Sequence, residues 1–145
     1  MKTTLPLFLT IATLLSSVGF AHEHEEKETE LYASMERMND AYRDLRRAMR
    51  GASDENKASY LELADVMLKE AKDSKELVPE KVKKLPEAEQ ENMLEEYNRQ
   101  MDGLITAIKE IRSELEKGDY DKSNSLLRNL RGIKSEGHDT FKEEE

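Results

Sequence analysis

A chain of 145 residues with a formal net charge of −9, 38% charged residues and no cysteine is sized for one domain with a modest core. The negative balance argues against nucleic acid or anionic lipid as a partner. The missing cysteine removes disulfides, iron–sulfur clusters and cysteine-based zinc sites.

The first 21 residues stand apart from the rest. Lys2 is followed by an apolar run from Leu5 to Leu15 and by the small residues Gly19 and Ala21, the layout of a secretory signal peptide cut after Ala21. The run is shorter than the roughly 20 apolar residues a membrane span needs. No cysteine follows it, which excludes lipid attachment there. Cleavage would leave residues 22–145 as the domain and, with Lys2 gone, a charge of −10. The expected location is the periplasm, with no membrane association after cleavage.

Glu, Lys, Leu, Met, Arg and Ala dominate the remainder, Trp is absent and Phe scarce, which is a helical composition. Leu31, Met35, Met38, Tyr42, Leu45 and Met49 form one apolar stripe at helical spacing. Gly51 stops it, and Ser53 or Asp54 is the next expected cap. A second stripe runs through Tyr60, Leu61, Ala64, Met67, Leu68 and Ala71. Pro79 and Pro86 interrupt the chain before a third, Leu94, Tyr97, Met101, Leu104, Ile108, Ile111 and Leu115. A turn centred on Gly118 leads to the last, Ser123, Leu127, Leu130, Lys134, His138 and Phe141.

Four amphipathic helices with short links predict an all-α, antiparallel up-down-up-down four-helix bundle. In that topology the first helix starts, and the fourth ends, at the same end, where the link between the second and third also lies. Met35, about 7 residues inside the first helix and so roughly 10 Å from its tip, is expected level with His138, both on inward stripes. A thioether facing an imidazole at one depth is a suitable axial pair for haem iron, the soft sulfur favouring Fe(II). The plainer alternatives stay open on spacing alone. A methionine on an apolar stripe is usually core filling, and a histidine near a helix C-terminus often serves the helix dipole.

The stretch "SMERMND", residues 34–40, together with "LRGIKSEGHDTFK", residues 130–142, resembles the soluble cytochrome b562 family. "MDGLITAIKEIRSELEKG", residues 101–118, is similar to that family's third helix and following turn. The resemblance implies a four-helix bundle holding one non-covalent haem b, with electron transfer as the role. It implies Met35 and His138 as axial ligands and places Tyr97, Met101 and Lys134 at the pocket. Of the two positions where the family has pocket aromatics, only Tyr97 keeps the ring. Lys134 keeps a charge where the family has an arginine, without the planar fork. Gly137 replaces a larger residue. The related covalent c-type bundles need cysteines at positions 134 and 137, and neither is present.

A monomer that meets redox partner proteins transiently is expected, its acidic surface suited to basic patches on them. The rival reading is a haem-free periplasmic bundle that binds a partner or buffers metal. After cleavage the chain would begin His22-Glu23-His24, and a free amine with histidine third can bind Cu(II) or Ni(II) in a square plane. No nucleophile–histidine–acid arrangement, glycine-rich phosphate loop or His-Glu-x-x-His motif points to an enzyme.

Overall fold

The computed structural model describes residues 29–141. The signal-like segment and His22-Glu23-His24 lie outside the described residues. Four long helices, α1 (Glu30–Ala48), α2 (Lys57–Lys75), α3 (Glu87–Lys117) and α4 (Tyr120–Phe141), make a four-helix bundle, and the described residues contain no strand.

The ends of the helices follow from local chemistry. The Thr29 hydroxyl accepts from the Tyr32 amide at 3.2 Å and caps α1, whose last turn carries Arg46 and Arg47 at the negative end of the helix dipole. Two short 3₁₀ turns, Met49–Gly51 and Asp54–Asn56, follow. Ser53, one of the two expected caps, is the N-cap of the 3₁₀ turn 54–56, which runs directly into α2, whose own N-cap position is Asn56. The Ser53 amide donates to the Tyr60 hydroxyl at 3.3 Å. The two prolines act as starts. Pro79 precedes a helical turn, Glu80–Lys83, and Pro86 precedes α3, where a missing N–H costs nothing. At the other end of α3, Gly118 adopts φ 79°. Its amide and that of Asp119 close back on the Leu115 and Glu114 carbonyls at 3.1 and 3.0 Å, a Schellman-type stop only a glycine makes without strain.

The core contains Leu45, Met67, Ile108, Ile111, Leu115 and Leu127, all at most 1% exposed, with Met38, Tyr42, Tyr60, Tyr97, Met101 and Leu130 around them. All four predicted stripes supply it. Each long helix packs on its neighbour in sequence, whereas the α1 and α4 backbones approach less closely and meet chiefly through side chains. Contacting residues run in opposite order along α2 and α3 and along α1 and α4. Ser74 and Asp65 of α2 meet Tyr97 and Arg112 of α3, and Asn39, Tyr42 and Met49 of α1 meet Lys134, Leu127 and Asn124 of α4. The link between α2 and α3 lies at the end where α4 terminates. Lys81 Nζ donates to the Thr140 carbonyl at 2.7 Å, and Val82 beside it is buried.

Candidate functional site

The seam between α1 and α4 is fixed by three side-chain ties. Tyr42 donates its hydroxyl proton to the Leu127 carbonyl at 3.0 Å, Asn124 Nδ2 reaches the Met49 carbonyl at 3.5 Å, and Lys134 Nζ donates to Asn39 Oδ1. The last tie sets the register. One turn back along α1 from Asn39 is Met35, and one turn on along α4 from Lys134 is His138, roughly 6 Å in each case. The register therefore sets the thioether and the imidazole at one level on the two facing helices.

The neighbouring helices brace that level. Tyr97 of α3 is 2% exposed, donates its hydroxyl to the Ser74 carbonyl at 2.6 Å, and meets the Phe141 ring edge-on with centroids 5.2 Å apart. Burial pushes its phenol well above the ordinary range, so it stays protonated as a donor. Ser74 donates to Ser34 Oγ at 3.1 Å, and Ser34 donates to Glu70 Oε2 at 2.9 Å. Glu70 is 6% exposed, and the Arg37 guanidinium hydrogen-bonded to it at 3.1 Å holds its carboxyl below its ordinary range against the cost of burial. Thus the residue before Met35 is locked to α2, and α2 is locked to Tyr97.

Met35 is half-buried at the edge of the core, and Met101 is 3% exposed. Lys134 is half-buried, its ammonium pKa lowered first by burial and then by Arg43 and Arg131. His138 differs from its expected inward position: its side chain is exposed. Past Lys134 the described helix packs on α3 through Gly137 and Phe141, and α1 is within a turn or two of its start, so less surrounds the imidazole than the stripe suggested. The two donors share a level, but the seam is not closed around both.

Sequence reading missed the Ser34–Ser74–Glu70 network. Its residues lie on two helices and are individually ordinary polar residues. The available signal was their place between apolar positions of the stripes, Ser34 beside Met35 and Glu70 beside Ala71.

The residues present suit a b-type haem in their donors and walls. Met35 supplies a soft thioether and His138 an imidazole, one turn beyond a seam lined by Met38, Tyr42, Met67, Leu104 and Leu130. Gln100 Oε1 is buried without a donor and lies 3.6 Å from where a Cβ on Gly137 would stand, an unsatisfied acceptor one residue from the imidazole. The cavity in the seam is about 10 Å³, room for about one water, so a macrocycle requires the facing helix ends to part. Among the described residues, no group of three or more His, Asp or Glu side chains is placed to hold a metal ion.

A comparison with curated proteins finds no match. The model of the cytochrome b562 family matches residues 30–142, nearly the whole bundle. With that match over most of its length, the chain belongs to the cytochrome b562 family of haem-binding, electron-carrying helical bundles.

Proposed function

We propose that the protein is a periplasmic electron carrier that holds one non-covalent haem b in the α1–α4 seam, with Met35 and His138 as axial ligands. The observation that carries this reading is the Asn39–Lys134 tie, one turn from the level the two donors share. Bound haem would supply a one-electron Fe(III)/Fe(II) couple. Met35 would favour the reduced ion through its sulfur, and His138 would orient its lone pair toward the same centre. Met101 and the Tyr97–Phe141 pair would exclude water from the site and so limit reorganisation of solvent on electron transfer. If Met35 and His138 both held the iron, no coordination position would be left open for substrate, which would suit a carrier rather than an enzyme. Periplasmic location is supported by the signal-like first 21 residues, and no helix among the described residues is long and apolar enough to cross a membrane.

The test is an absorption titration of the mature protein with haemin, oxidised and then reduced. Saturation at one haem per chain with sharp low-spin bands on reduction is the expected result. Weak or unsaturable binding would overturn it and leave a bundle that binds a partner without haem.

A further inference from the structure

Charge is unevenly spread over this acidic chain. Helix α3 carries nine acidic and four basic residues. By contrast, residues 122–135 on α4 contain Lys122, Arg128, Arg131 and Lys134 and no acidic residue, and the second half of α1 and the 3₁₀ turn after it add Arg43, Arg46, Arg47 and Arg50. The tertiary contacts gather most of these along one seam. Arg43 and Arg46 follow Asn39 and Tyr42 by one turn, on the face of α1 whose partners are Lys134 and Leu127. The Arg46 guanidinium lies over the Tyr42 ring, 5.6 Å from its centroid. Arg43 and Arg131 are close enough to Lys134 to lower its pKa. Arg50 continues the strip one turn beyond Arg46, beside the Asn124–Met49 tie.

Little neutralises this strip. Arg43 is paired with Asp40, but among the described residues Arg46, Arg50, Arg128 and Arg131 form no ion pair, and all four are exposed. The strip runs from the level of Lys134 to that of Arg50, roughly 16 Å at 1.5 Å per residue. It begins one turn from the donor level and extends too far to serve only the carboxylates of a group seated there.

We propose that the basic α1–α4 seam, centred on Arg46, Arg50, Arg128 and Arg131, is the docking face for an acidic patch on a redox partner protein. This rests on the electron-carrier reading, and it opposes what net charge alone suggests, a basic partner. At physiological salt the field of an exposed charge is screened beyond about 8 Å, so a partner in contact with the seam feels the local cations more than the acidic far side. An extended polyanion such as a membrane is disfavoured because the adjacent α3 is acidic. A strip of this size suits a weak, fast encounter, as electron transfer requires.

The experiment measures oxidation of the reduced holoprotein by ferricyanide across a salt series, for the parent and for Arg128→Gln/Arg131→Gln. The expected result is a rate that falls as salt rises, and a variant about tenfold slower at low salt with an unchanged haem spectrum. A rate that rises with salt, or a variant as fast as the parent, overturns the proposal. Failure of the haem reading is separable, because the full chain without haem is also titrated with poly-L-glutamate by NMR. Shifts centred on Arg50, Arg128 and Arg131 support the docking face even then. Absent or evenly spread shifts, or tighter binding to phosphatidylglycerol vesicles than to poly-L-glutamate, count against it.

Discussion

Tyr97 meets Phe141 edge-on, ring planes at 80° and centroids 5.2 Å apart, and its hydroxyl donates to the Ser74 carbonyl at 2.6 Å. One side chain of α3 thus secures the end of α2 and the last described turn of α4, three residues from His138. Such a pair holds the turn that carries His138 against α3.

Separating the two contributions of Tyr97 tests this. Tyr97→Phe keeps the ring and removes the hydroxyl, and is expected to cost about 1 kcal/mol. Tyr97→Ala also opens a cavity and is expected to cost about 3–5 kcal/mol. Urea unfolding with unchanged slope reads both, and equal costs would show that the ring contributes nothing.

Ligand variants separate the two donors. His138→Ala is expected to abolish the low-spin haem spectrum. Met35→Ala is expected to retain haem but to lower the reduction potential and admit external ligands, because the soft sulfur that favours Fe(II) is gone. Spectra and a redox titration decide, and an unchanged spectrum in both variants would refute the ligand assignment.

Glu70 gives the bundle a specific acid response. Its carboxyl is held below the ordinary 4.5 first by the Arg37 hydrogen bond, aided by Ser34 and opposed by burial. A lowered folded pKa means that this stabilisation is complete above the unfolded value and is lost as pH falls through the folded one. Glu70→Gln is therefore expected to cost about 2 kcal/mol at pH 7, with the gap to the parent narrowing below about pH 4. Melting curves over that range show the convergence, and a constant gap would mean the charge is not what matters.

Two glycine-to-alanine changes should have opposite signs. At Gly137 the backbone is helical and an added Cβ meets only Gln100 Oε1 at 3.6 Å, ordinary contact, so the change should stabilise the apoprotein by about 1 kcal/mol. At Gly118, with φ 79°, it should destabilise by about 1–2 kcal/mol. Thermal unfolding of the apoprotein measures both.

The four long helices and their apolar stripes were legible because helical periodicity is local, as were the stops at Gly51 and Gly118 and the breaks at Pro79 and Pro86. Of the pocket positions, Tyr97 and Met101 were legible as core because their neighbours at helical spacing are apolar. The exposure of His138 was not, since continuing a stripe says nothing about whether a neighbour still covers it near a helix end.

The sequence by itself determined the helical bundle and the family-like placing of Met35 and His138, because spacing along one helix fixes which residues share a face. Only the tertiary structure decided how the faces meet. It set the Asn39–Lys134 register, buried Ser34, Ser74 and Glu70 as one polar network, and aligned arginines from α1 and α4 into a single basic seam. Each of these joins residues more than 30 positions apart, and the relative rotation and offset of packed helices, which bring them together, come from fitting side chains across the whole core.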